Sequence, residues 1–202
     1  EPMLRTMLES FGARTIRNLA TIGGNLATAS PISDLLPVLL ALDARLVLES
    51  AERGERIVPV EDFLVGYRKT TLARDEVIVR VAIPLPEARH PGLDLQGFVR
   101  KVGKRHELDI ATANAAFFVA REPDTGRIVH ARLAFGGVAE TSVRARRTEE
   151  VLLGRRLDAA VLAEALGVLV GELHPIDDVR GHATFRRRLA RELLTRFAAE
   201  LG

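Results

Sequence analysis

The sequence predicts an α+β fold, with antiparallel strands and helices segregated along the chain rather than alternating. Three observations predict it. The second half reads as a strand meander over residues 96–102, 110–120 and 127–135, followed by helical periodicity to the C-terminus. The first half mixes short helical stretches with a β-branched strand at 76–83. Between them, residues 84–92 hold Pro84, Pro86, Pro91 and Gly92 among mixed charges, the composition of a boundary.

The elements follow in order. Apolar residues at 4, 7, 8 and 11 predict a helix over 3–11. Ser33 is placed to cap a helix over 34–42, with Pro37 early enough to be tolerated. Residues 45–48 and 56–60 read as strands around a turn at Arg53-Gly54, and 63–67 as a short helix or turn. In the second half, Asp124-Thr125-Gly126 is a turn, 143–153 a helix closed by Gly154, and Asp158 the cap of the next helix. That helix repeats apolar residues at 161, 162, 165, 166, 169, 170 and 173. The last one aligns Phe185, Leu189, Leu193, Phe197 and Leu201 on one stripe.

Composition removes several classes of function. The 202 residues allow one or two domains, and 47% hydrophobic with 28% charged residues is a globular balance. There is no cysteine, so this chain holds no disulfide, thiolate zinc site, cysteine nucleophile or iron–sulfur cluster of its own. No apolar run approaches the roughly 18 residues of a membrane span and no secretory signal opens the chain, which predicts a cytoplasmic protein with no membrane partner. Lys+Arg 29 against Asp+Glu 27 is a small surplus; Lys69, Lys101 and Lys104 are the only lysines, so arginine supplies nearly all of it. With 4% aromatics and dispersed charge, nucleic acid is not an expected partner. The five histidines, 90, 106, 130, 174 and 182, lack ligand spacing, so no metal site is expected.

The strongest local signal is Thr21-Ile22-Gly23-Gly24-Asn25. Two adjacent glycines let backbone N–H groups approach an anion such as a pyrophosphate. The hydroxyls of Thr21, Thr28 and Ser30 and the Asn25 amide can add hydrogen bonds, and the Asp34 carboxylate can accept from ribityl or ribose hydroxyls. A tight turn before a capped helix accounts for the same residues. No GxGxxG, P-loop or GxSxG pattern is present. Asp177-Asp178 reads as an acid–base pair or a helix cap, and Arg186-Arg187-Arg188 with Arg191 as a solvated face or a phosphate clamp. Lys101 and Arg105, after a strand, read as an exposed turn or as cations beside a ligand phosphate or an electron-rich ring.

Residues 16–34 carry a specific pattern: Ile16-Arg17-Asn18, then Thr21-Ile22-Gly23-Gly24-Asn25, then Ala29-Ser30-Pro31-Ile32-Ser33-Asp34. It resembles the second FAD motif of the molybdenum hydroxylase flavoproteins, the family of xanthine dehydrogenase. Three further segments match that family in order: Lys101-Val102-Gly103-Lys104-Arg105-His106-Glu107-Leu108-Asp109-Ile110, then Ala134-Phe135-Gly136-Gly137-Val138-Ala139, then His174-Pro175-Ile176-Asp177-Asp178-Val179-Arg180. Glu107 and Leu108 stand where the family has Asp, and His106 where it has an aromatic residue or Arg.

The resemblance implies that residues 1–86 form the second subdomain of the family's FAD-binding fold. Residues 95–202 would form the flavoprotein C-terminal domain, an antiparallel sheet with helices on one side. It implies that Thr21, Gly23, Gly24 and Asn25 hold the FAD pyrophosphate and that Phe11 and Ala20 line the cofactor. Thr28 and Asp34 would make polar contacts to it, with Ile78 near the flavin ring and Lys101 near the isoalloxazine, where a cation favours reduced anionic flavin. No residue of this chain is expected to be an acid–base catalyst. The family's preceding subdomain, with the first Gly-rich loop, and its iron–sulfur domain are not in this sequence. The implied function is electron transfer from iron–sulfur clusters through FAD to NAD+, with molybdopterin on a large subunit. A flavoprotein subunit for an aldehyde, carbon monoxide, N-heterocycle or aryl-CoA hydroxylase is the alternative, as is a non-catalytic interaction fragment.

Overall fold

In the computed structural model, residues 1–105, 109–179 and 181–201 are described. His106, Glu107, Leu108 and Arg180, which carry parts of two of the motifs, lie outside the described residues. The chain opens with helices α1 (Pro2–Ser10), α2 (Arg14–Arg17), α3 (Ile22–Thr28) and α4 (Leu35–Ala41). Pro2 starts α1 where a missing N–H costs nothing, and the Glu1 carboxylate accepts from the Leu4 N–H at 2.7 Å. The Ser33 hydroxyl accepts from the Leu36 N–H at 3.3 Å, the cap that the sequence predicts for α4. Every residue of α4 is buried.

Strands β1 (Arg45–Ser50) and β2 (Gly54–Pro59) form a hairpin, and the predicted strand end at residue 60 is instead the start of α5 (Val60–Phe63). A small hairpin of β3 (Leu64–Gly66) and β4 (Lys69–Thr70) takes the place of the single turn expected at 63–67. β5 (Glu76–Ala82) returns antiparallel to β1, giving the order β2-β1-β5. Arg56 and the Ala73 N–H hold the Glu76 carboxylate and pull its pKa down to about 2. The proline-rich boundary carries one helical turn, α6 (Pro86–Arg89).

The second half is a four-stranded antiparallel sheet of β6 (Asp94–Val102), β7 (Ala113–Arg121), β8 (Ile128–Gly136) and β9 (Val143–Arg144), in that order. β7 starts later than residue 110, after the Thr112 N–H has bonded the Val102 carbonyl at 2.7 Å. Helices α7 (Arg146–Leu152), α8 (Ala159–Glu172) and α9 (Ala183–Leu201) follow. The helix expected from 143 loses its first residues to β9, because Val143 and Arg144 pair with Phe135 and Ala134. Arg144 is fixed there by Glu149 and by Glu61 of the first half. Asp158 caps α8 as predicted, accepting from the Val161 N–H at 2.9 Å. On α9 the buried stripe is rotated from the expected one: Phe185 is 48% exposed, while Arg186 and Ala190 turn inward with Leu193, Phe197 and Leu201. The arginine run is therefore not a uniformly solvated face.

Both faces of this sheet are covered. Phe98, Ala115, Phe117, Val119, Leu133 and Phe135 pack against α7, α8 and α9, around four phenylalanine rings whose neighbouring centroids lie 4.9–5.7 Å apart. The opposite face, with Val99, Ala116, Phe118 and Ala134, shares a core with α1, α4 and β1. Burial on both sides explains why β7 reads as a continuous run of small and apolar residues rather than an alternation.

Charges also join the halves. Asp43, in the turn after α4, accepts from Arg89 at 3.0 Å and from Arg132 at 2.9 and 3.1 Å. Lys101 and Asp34 meet at 2.6 Å with side chains only 9% and 10% exposed. His90 and His130 pack beside Phe118, with imidazole centroids 4.4 Å apart and the rings tilted against each other. Burial lowers the His130 pKa to about 4, reinforced by Arg132, His90 and Arg89 against the opposing charge of Asp43.

Two outcomes follow for stability. A histidine whose folded pKa lies below its unfolded value near 6.5 leaves the unfolded chain holding the extra proton, so stability falls as pH drops from about 6.5 toward 4. Glu76 contributes in the same direction only below its ordinary range, so between about pH 6.5 and 5 the His130→Phe variant flattens the dependence of the urea midpoint on pH; an unchanged slope contradicts the assignment. Lys101→Met strands a buried carboxylate and costs about 3 kcal/mol of unfolding free energy, most of it recovered in Asp34→Asn/Lys101→Met. Additive losses in the double variant rule out a direct pair.

Candidate functional site

The glycine pair is neither a loop nor a simple turn: it forms the first turn of α3. Thr21 caps it, its hydroxyl accepting from the Gly24 N–H at 2.9 Å. The Asn25 N–H bonds the Thr21 carbonyl. The N–H groups of Ile22 and Gly23 find no acceptor among the described residues, since the first amides of a helix have no intrahelical partner. Gly23 packs on Ile78, where a Cβ on the glycine would sit 3.8 Å from the Ile78 Cβ. A Cβ on Gly24 would meet the Thr21 hydroxyl at 3.0 Å. The cradle is thus bare backbone, backed on one side by the β5 strand.

From α3 a chain of hydrogen bonds runs into the second half. The Ser33 hydroxyl donates to the Asn25 side-chain carbonyl at 2.6 Å. The next residue, Asp34, is 8% exposed and accepts from the Lys101 ammonium through Oδ2 at 2.6 Å. Lys101 also donates to the Ser10 carbonyl at 3.1 Å, beside Phe11. Burial pushes the Asp34 carboxyl above its ordinary range, and Lys101 and Asn114 offset this only in part.

Of the residues singled out from sequence, the structure joins Asn25, Asp34 and Lys101 in one network and puts Gly23 against Ile78. Phe11 packs on the first core at the end of α1. Ala20 is exposed beside Leu19, which is 88% exposed. The Thr28 hydroxyl donates to the Gly24 carbonyl of its own helix at 2.8 Å. Asp177 and Asp178 act as caps: Asp177 accepts from the Ala183 N–H and Asp178 from the Gly181 N–H. Among the described residues no group of His, Asp and Glu has metal-binding geometry, and no helix is long and apolar enough to cross a membrane.

Sequence reasoning missed the buried roles of two residues. Asn114 is fully buried in β7 and donates to the Ser33 carbonyl at 2.9 Å. Arg186 is 2% exposed and donates to the carbonyls of Thr112 at 2.7 Å and Gly137 at 2.9 Å, and to Asp178 at 2.6 Å. The glycines of Ala-Phe-Gly-Gly make room for both. A Cβ on Gly136 would lie 2.1 Å from the Asn114 Oδ1, and one on Gly137, which has φ +78°, would lie 2.6 Å from the Thr112 carbonyl. The available signal was a lone amide inside an apolar strand.

Two cavities flank the network. One of about 440 Å³ opens beside Lys101 and is lined by Ser10, Lys101, Lys104, Arg105 and Asp109. Another, also about 440 Å³, is bordered by Ser30, Pro31, Tyr67, Arg68, Gly137 and Arg186.

Residues 1–86 match the family described as the FAD binding domain in molybdopterin dehydrogenase, and residues 98–201 the CO dehydrogenase flavoprotein C-terminal domain. Xanthine dehydrogenase of Blastobotrys adeninivorans is 41% identical over 195 residues, which is 94% of this chain and 14% of the relative. Nicotinate hydroxylase of Emericella nidulans is 40% identical over 193 residues, again 94% of this chain and 14% of the relative. Among solved structures, carbon monoxide dehydrogenase of Hydrogenophaga pseudoflava superposes with a TM-score of 0.86 at 29% identity, over 96% of this chain and 65% of that one. Quinoline 2-oxidoreductase of Pseudomonas putida 86 gives 0.83 at 30% identity, over 99% and 66%. The sequence thus spans about a seventh of the length of those curated relatives. With both halves matched in order, the chain belongs to the molybdenum hydroxylase family of xanthine dehydrogenase, as part of its FAD-binding region.

Proposed function

We propose that this chain supplies the second half of an FAD site and that the enzyme carrying it passes electrons from iron–sulfur clusters through FAD to NAD+. The observation that carries the reading is the junction itself. The glycine helix is tied through Asn25 and Ser33 to the segment that carries Asp34, and Asp34 in turn holds a lysine from the far sheet. The residues present fit the group. The Ile22 and Gly23 N–H groups suit pyrophosphate oxygens, and the Cβ that Gly23 lacks would fill the space between the cradle and Ile78, which the resemblance sets near the flavin. Phe11, Ala20, Thr21, Thr28 and Ile78 border the same region in the arrangement the family resemblance implies.

FAD, when bound, accepts electrons singly or in pairs and gives them up as a hydride equivalent. This chain orients it and tunes it. Asp34 holds the Lys101 ammonium at a fixed place, where a positive charge favours the reduced anionic ring. NAD+ is the acceptor proposed, as the family resemblance implies. Iron–sulfur clusters and molybdopterin are assigned to other domains or to a large subunit, in keeping with the absence of cysteine here. Xanthine is the substrate proposed first. Similar identities to a xanthine dehydrogenase and a nicotinate hydroxylase support substrate choice lying outside this region, with other molybdenum hydroxylases as the second reading.

The test is the full-length protein. A flavin absorption band, bleached by xanthine and restored by NAD+ under anaerobic conditions, supports the proposal; colourless folded protein contradicts it. Replacement of Gly23 separates binding from folding. In Gly23→Ala the new methyl meets Ile78 at ordinary contact distance, so urea stability is kept or rises by up to about 1 kcal/mol, while FAD content falls at least tenfold, as a ratio of visible to protein absorbance. Retained FAD contradicts the cradle.

A further inference from the structure

We infer that Asn114 positions the Lys101 ammonium for the flavin, acting through the Ser33–Asp34 segment, and that Gly136 is the residue that admits it. The inference rests on the FAD reading above and adds to it a residue that never touches the cofactor.

The sheet register sets the arrangement. In β7, Asn114 lies directly opposite Lys101 of β6 and directly opposite Gly136 of β8. Directly opposed residues share a face, so Lys101, Asn114 and Gly136 form one row across three strands. That row faces the start of α4. The Asn114 Nδ2 donates to the Ser33 carbonyl at 2.9 Å and lies 3.5 Å from the Asp34 Oδ1. The amide therefore holds the backbone just before Asp34 and faces one carboxylate oxygen, while Lys101 takes the other at 2.6 Å.

Donor counting shows what the ammonium has left. It carries three N–H groups. Asp34 takes one and the Ser10 carbonyl a second. The third has no acceptor among the described residues, and the cavity beside Lys101 gives it room. Fixing two donors aims the third.

The amide itself is costly. Asn114 is fully buried and its Oδ1 has no donor among the described residues. An apolar residue in this strand avoids that cost. The reversed amide would turn its oxygen toward the Ser33 carbonyl and the Asp34 carboxylate, so these two acceptors fix the orientation. A Cβ at position 136 would come within 2.1 Å of Oδ1, a separation no side chain tolerates. The glycine and the asparagine are thus one device.

The experiment measures the flavin's redox equilibrium against a reference dye in the full-length protein, together with its urea stability. Asn114→Ala and Gly136→Ala are each expected to retain FAD and to shift that equilibrium toward oxidised flavin by about tenfold, which is about 30 mV for a two-electron couple. Lys101→Met shifts it at least as far, and Asn114→Ala/Lys101→Met no further than Lys101→Met alone, because Asn114 acts through Lys101. Where Asn114→Ala does not fold, Asn114→Leu, which fills the same space, is measured by the same criterion. Lost stability with an unmoved potential, or a double variant that shifts beyond Lys101→Met, overturns the inference. Absence of flavin from the unaltered protein overturns the functional reading and this inference with it.

Discussion

A carboxylate from the first half and an ammonium from the second meet out of water, and much of the molecule's arrangement depends on that meeting. Asp34 stands at the start of a helix with no exposed residue, and Lys101 near the end of a strand paired with β7, which is buried on both faces. Burial works against the Asp34 charge strongly enough to raise its pKa despite the lysine. An ion pair of this kind is weak as a source of stability and strong as a constraint on geometry. It fixes where α4 and β6 approach, and through Ser33 and Asn25 it fixes the glycine helix as well.

β7 shows how one strand serves two purposes. Its odd-numbered residues, Ala115, Phe117 and Val119, belong to the aromatic core beneath α7, α8 and α9. Its even-numbered residues, Asn114, Ala116 and Phe118, face the first half. The period-2 geometry of the strand keeps the jobs apart. Rigidity comes from the packed face, and the polar row on the other face inherits it. A lysine on β6, paired directly with that strand, keeps its place better than one on a loop, which is what electronic tuning of a cofactor demands.

The sequence made the fold class and most element types legible because hydrophobic periodicity and caps are local signals. Ser33 and Asp158 cap the helices they were expected to cap. The failures lie where tertiary partners decide. Val143 and Arg144 look helical until β8 recruits them, and the stripe of α9 rotates because Arg186 has carbonyls to reach. The glycine signal was legible as a place, but not as a helix start, since adjacent glycines are poor helix formers and only the Thr21 cap and the Ile78 backing stabilise them there. Asp34 and Lys101 were visible separately, as candidate ligand contacts from the residues and through family resemblance. Their pairing was not, because no local pattern links residues 67 positions apart.

Amide hydrogen exchange on the full-length protein, with FAD bound and after its removal, tests the central claim most directly, because it reads both halves at once. If the buried pair couples the glycine helix to the far sheet at the cofactor, FAD protects amides around Gly23 and Gly24, and also those at the β6 end near Lys101 and the β7 start near Asn114. Protection confined to the glycine helix, with the strands unchanged, contradicts that account.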